Sequence, residues 1–321
     1  ERDWGVLPRE ESLFDDVVIV DYAIDFLMSH KGDRPFFLSV GTFHPHLPWY
    51  IPQRFHDLYA DKEIHLPEAP ENDLEDVPRI PQQWAAERRD ELQAAKDAGA
   101  WEEAVRCYLA SISFADAQVG RMLQALEDSP FANNTIVILW SDHGWHIGEK
   151  DHWMKSTLWE VATRVPFIVA LPEMTTGGKD CSRPVNLVDI FPTLTSLLNL
   201  DCDIPFDGHD LTPLLKNPKG EWPYPSLTDY GYGNTAVRDE RWRYIHYEDG
   251  TEELYDHDFD PHEWRNLALN PAYAKIKETL AKHLPDHYAA NVPSKSAFIF
   301  EPEKWTFTNK KTGYVVKGVE P

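Results

Sequence analysis

The sequence predicts an α/β sandwich: a mixed sheet flanked by helices through residue 220, followed by a smaller α+β subdomain over residues 221–321. Three observations carry this. The apolar runs Phe36–Val40, Thr135–Trp140 and Val165–Leu171 read as strands, the last two buried on both faces. They alternate with amphipathic stretches of helical period, the pattern of a sheet layered with helices. Past Glu221–Pro225, which holds two prolines, the spacing changes to clustered short strands and one closing helix, suiting a small antiparallel sheet.

In order, Ser12–His30 opens with acids and carries Val17, Val20, Ala23, Ile24 and Leu27 at helical spacing, with Lys31-Gly32 as its stop. After Phe36–Val40 the chain turns through His44-Pro45-His46-Leu47-Pro48, two histidines held by prolines whose fixed φ stiffens the turn. Pro52–Ala60 reads as a short helix, 66–81 as a proline-rich extended loop, and Gln82–Ala98 as a charged, solvated helix. Trp101–Leu126 is the longest helix. Its stripe of Val105, Tyr108, Leu109, Ile112, Val119, Leu123 and Leu126 suits it to cover the sheet. Val188–Leu200 is helical, with Asp189 in its acid-favouring first turn and Pro192 near its start. Ala236–Arg238, Arg241–Tyr247 and Glu252–Tyr255 are strands and Tyr273–His287 a helix. The tail, with Phe298, Phe300, Trp305 and Phe307, packs on the core or joins a partner.

Composition sets bounds on function. Thirty-one basic against fifty-four acidic residues give a net charge of −23, which argues against general nucleic-acid binding. The same charge repels anionic ligands, so an anion site must rely on cations within a Debye length of ~8–10 Å. No run approaches the ~18 apolar residues of a membrane span. Cys107, Cys181 and Cys202 make no disulfide framework, and their odd count leaves the compartment open.

The chemistry gathers after Trp140. Open α/β sheets bind ligands beyond the carboxyl ends of their strands, and there lie Ser141, Asp142, His143, Gly144, Trp145 and His146. Any one of them reads as a solvated loop residue. Their density argues otherwise: Asp142, His143, His146, Glu149, Lys150, Asp151, His152 and Lys155 fall within fourteen residues, beside four tryptophans. An acid, imidazoles and a lysine at a strand end suggest a metal or anion site.

Ser141-Asp142-His143-Gly144-Trp145, Gly148-Glu149, Trp153, Lys155 and Ala162-Thr163-Arg164-Val165-Pro166 together resemble the type I, formylglycine-dependent sulfatases of the alkaline phosphatase superfamily, especially the branch of iduronate-2-sulfatase and choline-sulfatase. Val188–Leu194, Asp207–Leu215, Glu253–Asp256 and Glu263–Leu267 extend the resemblance. It implies an alkaline-phosphatase-like sheet, Asp142 and His143 as ligands of a divalent metal, and Lys155 on the sulfate. The Pro45-His46-Leu47-Pro48 string matches the family's Pro-His-x-Pro, which implies that His46 serves the leaving group and places His44 where relatives are often basic. Trp145, His146 and His152 are weaker candidates for the rim of a substrate pocket. Calcium is the family's metal; an imidazole ligand leaves manganese, magnesium and zinc open. The implied ligand is a sulfated carbohydrate or other small sulfate ester. A periplasmic, secreted or lysosomal-type compartment is favoured, with the cytoplasm still open.

The family's nucleophile lies in a C/S-x-P/A-x-R motif. Cys181-Ser182-Arg183-Pro184 has its Arg two places after the Cys rather than four and follows the metal-ligand strand, so it is not that motif. The paired Asp ligands of the family's opening strand are not recognised either. The expectation is therefore an N-terminal sulfatase segment outside these residues that carries the nucleophile, and an inactive isolated chain. Two other readings stand beside it: a phosphate or phosphonate ester hydrolase of the same superfamily, and a non-catalytic protein that binds sulfated glycans.

Overall fold

A computed structural model describes residues 3–32, 34–172, 174–175, 177–289, 298–304 and 306–317. The chain runs through β1 (Trp4–Val6), α1 (Asp15–Ser29), β2 (Trp49–Ile51), α2 (Gln53–Asp57), α3 (Arg79–Glu87), α4 (Arg89–Asp97), α5 (Trp101–Glu127) and β3 (Val137–Trp140). Next come β4 (His146–Ile147), β5 (Trp153–Met154), α6 (Glu160–Thr163), β6 (Phe167–Ala170), α7 (Ile190–Leu197) and α8 (Thr212–Lys216). The chain continues with β7 (Ser226–Asp229), β8 (Thr235–Arg238), β9 (Trp242–His246), β10 (Glu252–Asp256), α9 (Ala274–Ala281), β11 (Phe298–Glu301), β12 (Thr306–Asn309) and β13 (Val315–Lys317).

Helix α5 is the spine. Ala104, Cys107, Ala110, Ser111 and Phe114 are buried along it at spacings of three and four, and their mostly small side chains let other elements approach closely. Helix α1 packs there through Val17 and Val20, and β2 through Ile51. Phe14 meets Phe114 edge to face at 5.5 Å.

Two expected strands differ from their reading. β3 and β6 pair antiparallel, Val137 opposite Ala170 and Trp140 opposite Phe167, yet Ile168 is 58% exposed. A two-stranded ladder cannot bury both its faces, and among the described residues no third strand joins it. Phe36–Val40 is extended but unpaired among the described residues, with Phe37 82% exposed. An apolar run becomes a strand only where a neighbour satisfies its backbone groups. The expected solvated helix over 82–98 is two helices meeting at Arg88, each anchored by a fully buried side chain, Ala85 and Leu92. The closing helix stops at Ala281 instead of reaching His287, four residues before Pro285, which disfavours helical φ/ψ at the preceding residue.

The C-terminal strands form an antiparallel sheet of order β10-β9-β8-β7. Sequence reading missed its edge strand β7, whose Ser-Leu-Thr-Asp offers one strongly apolar side chain. The sheet shares a core with the preceding chain: Ala236, Ile245, Tyr247 and Tyr255 pack with Val77, Ala85, Leu158 and Trp159. The tail forms an antiparallel meander, β11-β12-β13, in which Phe300 stacks on Phe307 at 4.5 Å. Trp305 lies outside the described residues. Among the described residues no helix is long and apolar enough to cross a membrane.

Buried charge ties the C-terminal sheet to the body. Arg243 on β9 sets Nε 2.6 Å from Glu263 Oε1 and donates Nη2 to Glu160 Oε2 on α6. The Glu160 backbone N–H donates to Glu263 Oε2 at 2.8 Å, and His257 lies 2.9 Å from Glu263 Oε1. Nearby, buried Lys150 pairs with Asp73 at 2.7 Å and donates to the Glu263 carbonyl. Glu253 accepts from Trp159 Nε1 at 2.9 Å and from the hydroxyls of Tyr247 and Tyr255.

Helix α6 in turn holds the loop after β3. Gly144 donates to Ala162 O at 2.7 Å and Trp145 to Val161 O at 3.1 Å. A Cβ on Gly144 would stand 1.9 Å from Val161 O, so only glycine permits this approach.

Three outcomes follow. Arg243→Met leaves buried Glu263 without its guanidinium partner and leaves Glu160 to Arg238 at 3.3 Å, and should cost ~3–5 kcal/mol, read from urea unfolding. Gly144→Ala should cost ~1–3 kcal/mol and lower the melting temperature. Burial opposes ionisation of Glu263, yet Arg243 and His257 hold its carboxyl from 4.5 down to about 2. The stabilisation from its ionised form is therefore complete above pH 4.5 and lost as pH falls toward about 2. Glu263→Gln should flatten the pH dependence of the urea midpoint across that window.

Candidate active site

Two loops from distant parts of the sequence build the site. The loop of residues 43–48 is anchored by Asp16, a buried acid on the first turn of α1. Its carboxylate accepts from the backbone N–H groups of Phe43 at 2.6 Å and His44 at 3.0 Å, and His44 Nδ1 lies 2.7 Å away. Burial works against the ionised form, but His44 and the two N–H groups outweigh it and hold Asp16 below its usual range. Trp49 Nε1 donates to Pro45 O at 2.8 Å, which secures the other end. The second loop, 141–145, is held by α6 and by Ser141 N–H donating to Pro166 O at 3.3 Å.

These loops bring His46, Asp142, His143, Trp145 and Lys155 together. Lys155 Nζ contacts His46 Nε2 directly. The His46 ring lies 5.8 Å from that of His143 and 4.9 Å from that of Trp145, edge to face. Lys155 Nζ stands 5.2 Å over the Trp145 ring, within cation–π range. Trp145 is thus the wall against which both imidazoles and the ammonium are placed. Its role is packing and positioning, because its ring is buried.

Hydrogen bonding assigns the tautomers. A carbonyl only accepts, so His46 Nδ1, 2.6 Å from Leu47 O, carries its proton, and Nε2 offers a lone pair to the Lys155 ammonium. His143 Nδ1 likewise donates to Gly144 O at 2.8 Å. That leaves His143 Nε2 facing Asp142 Oδ2 at 3.6 Å, with Asp142 82% exposed. Burial lowers the Lys155 pKa; Asp142 raises it and Arg88 lowers it further, the net shift being downward.

Three imidazoles expected near the site lie elsewhere. His44 has both ring nitrogens engaged, by Asp16 and by Tyr50 O at 3.0 Å, so it braces the loop and faces no pocket. His146 is wholly buried, with Nδ1 3.1 Å from Glu149 O and Nε2 2.8 Å from Thr157 Oγ1. Burial and neighbouring His152 push its pKa down to about 3, so it is a neutral core residue. His152 is also buried, with Nδ1 3.3 Å from Ala85 O and its pKa lowered by burial. The physical reason is common to all three. Residues 146 and 152 belong to the short β4–β5 hairpin that the tryptophan cluster covers, and His44 points back to α1. Sequence reading missed Asp16, whose only signal was membership of the acidic start of α1, and the buried Lys150–Asp73 pair, which has no local signature.

The residues present fit part of a divalent metal site. Metal-bound histidine characteristically donates its second ring N–H to a backbone carbonyl or carboxylate, as His143 does to Gly144 O. Asp142 adds an exposed carboxylate beside Nε2. Among the described residues, the groups of three or more convergent His, Cys, Asp or Glu ligands are His56–Glu103–Cys107 and Glu160–His257–Glu263, neither of which includes this pair. Asp142 and His143 could therefore offer two donors, fewer than a complete metal shell needs.

The sulfatase family profile matches residues 8–200, and the profile of the N-sulphoglucosamine sulphohydrolase C-terminal region matches residues 148–290. A sulfatase from Formosa agariphila is 37% identical over 316 residues, covering 97% of this chain and 60% of that protein. Human iduronate 2-sulfatase is 34% identical over 63% of this chain and 42% of its own length. Choline-sulfatase from Rhizobium meliloti is 31% identical over 77% and 49%. The chain thus spans between 42% and 60% of these relatives. Among solved structures, BT4656 in complex with its substrate D-glucosamine-2-N,6-O-disulfate aligns with a TM-score of 0.70 at 22% identity, over 84% of this chain and 68% of that one. The phosphonate monoester hydrolase of Agrobacterium radiobacter aligns at 0.66 and 23% identity, over 93% and 65%. The fold is alkaline-phosphatase-like. With the sulfatase profile spanning most of the chain, this protein belongs to the sulfatase family.

Proposed function

We propose that the chain is the later part of a sulfuric ester hydrolase acting on a sulfated sugar or another small sulfate ester. The observation that carries this is the contact of Lys155 with His46, beside His143 and Asp142, across more than a hundred residues of sequence. Lys155 is the point charge for a sulfuryl oxygen. His46, its Nε2 turned toward that ammonium, exchanges the proton that the departing alkoxide needs. Asp142 and His143 Nε2 would hold a divalent metal, calcium before manganese, magnesium or zinc, which would supply positive charge for the sulfuryl oxygens.

The nucleophile and the remaining ligands come, in this reading, from polypeptide beyond these 321 residues. Two facts support it: the relatives are longer, and apolar side chains such as Trp140, Ile168, Val188 and Phe191 stand exposed on β3, on β6, just before α7 and at its start. Residues 1–220 then belong to the catalytic domain and 221–321 to a C-terminal subdomain and tail. A periplasmic, secreted or lysosomal-type compartment suits the relatives' substrates. The second reading, a phosphonate or phosphate ester hydrolase, is supported by the structural likeness to phosphonate monoester hydrolases.

The test is hydrolysis of aryl and sugar sulfates, against matched phosphate and phosphonate esters, by the chain alone and joined to its N-terminal segment. Sulfate-ester turnover only in the joined form is expected. Faster phosphonate turnover would favour the second reading, and turnover by the lone chain would refute the placement of the nucleophile. In the active form, Lys155→Ala and His46→Ala should each lower kcat/KM by roughly 100-fold or more. Asp142→Asn should raise the metal concentration needed. Because the Lys155 pKa lies below the ordinary 10.5, activity that needs its ammonium should fall on the alkaline side earlier than an ordinary lysine would allow.

A further inference from the structure

Three side chains of unlike chemistry converge where α2 meets α5, and none belongs to the cluster around Lys155. His56 of α2 places Nε2 2.8 Å from Oε1 of Glu103, in the first turn of α5. Cys107, one helical turn further along the same face, places Sγ 3.6 Å from that oxygen. All three ligand atoms lie within 4.8 Å of one another. Cys107 is wholly buried, whereas the His56 and Glu103 side chains are 20% and 43% exposed, so the trio has a closed floor and an open mouth.

The other convergent group, Glu160–His257–Glu263, already holds a cation, because Arg243 reaches both carboxylates. At the α2–α5 junction the neighbouring guanidinium stands differently. Arg106 Nε donates to the far oxygen of Glu103, Oε2, at 3.2 Å, and leaves Oε1 to His56 and Cys107. A carboxylate oriented by an outer donor while its other oxygen faces two ligands is an arrangement that favours metal binding.

We propose that His56, Glu103 and Cys107 form a zinc site, separate from the candidate catalytic centre, that ties α2 to α5. Thiolate, imidazole and carboxylate are together a donor set suited to borderline-soft Zn2+ and foreign to calcium or magnesium. Tetrahedral bonds of ~2.0–2.3 Å set ligand atoms about 3.3–3.8 Å apart, so small side-chain rotations convert the present spacing into a coordination shell. As the S–Zn bond forms, the Cys107 thiol proton leaves to solvent, and the His56 proton that faces Glu103 moves from Nε2 to Nδ1; the freed Nε2 lone pair and Glu103 Oε1 complete three protein ligands. Water takes the fourth position at the open mouth. Thiolate and carboxylate together neutralise the ion, so the site forms without leaving net charge against the core.

The experiment uses the full chain, stripped of metal and then saturated with calcium, titrated with zinc chloride and dialysed. One retained zinc per chain, a higher melting temperature, and a near-ultraviolet sulfur-to-cobalt absorption when cobalt replaces zinc are expected. Cys107→Ser should abolish both zinc retention and that absorption; His56→Gln, at the surface, should abolish retention and provides the test if the buried substitution does not fold. The double variant Asp142→Asn, His143→Ala should retain its zinc. No retained zinc in the parent, zinc that survives both Cys107→Ser and His56→Gln, or zinc lost from the Asp142, His143 variant would overturn the proposal.

Discussion

Four residues, Glu160–Thr163, couple the two parts of the molecule. The carboxylate of Glu160 is clasped by Arg243 from the C-terminal sheet, and the next two carbonyls, Val161 O and Ala162 O, receive the N–H groups of Trp145 and Gly144. The same short helix is therefore an ionic anchor at one end and a backbone template for the loop of Asp142 and His143 at the other. The orientation of buried Glu263 and part-buried Glu160 depends on Arg243 and the surrounding donors. Because Gly144 has no Cβ, the loop approaches closely enough for Trp145 to become the wall of the site. The C-terminal sheet contributes no residue to the cluster around Lys155, yet it sets where that cluster stands.

Charge explains why the cluster is built as it is. A molecule of net charge −23 repels the esters it is proposed to cleave, so attraction must be local and must survive screening. In the proposed reading that attraction comes from the ammonium of Lys155, the nearby charge of Arg88 and a metal that Asp142 and His143 would hold. Aromatic packing keeps these groups in place: Trp145 touches His46, His143 and Lys155, and is itself packed against Trp49 at 6.1 Å.

Two kinds of histidine also become distinguishable. His46 and His143 each donate one nitrogen to a neighbouring carbonyl of their own loop and turn the other toward the cluster. His44 and His146 use both nitrogens within the fold. Residue type and proximity in sequence do not separate these pairs. The direction in which the backbone delivers each ring does.

By itself the sequence determined the helices α1 and α5, the pairing-competent runs at β3 and β6, the strands β8, β9 and β10 of the C-terminal sheet and the candidate residues Asp142, His143, Lys155 and His46, because periodicity and local motif order are properties of short stretches of chain. It left undetermined whether an apolar run finds a partner, which is why Phe36–Val40 stands unpaired and β3 half-exposed. Only the tertiary structure decided that Asp16 braces the loop of His46, that His44, His146 and His152 serve packing, and that Arg243 joins Glu160 to Glu263. Each of these depends on side chains distant in sequence meeting in a low-dielectric interior. That encounter leaves no periodic trace in the chain, since burial, not spacing, makes it matter.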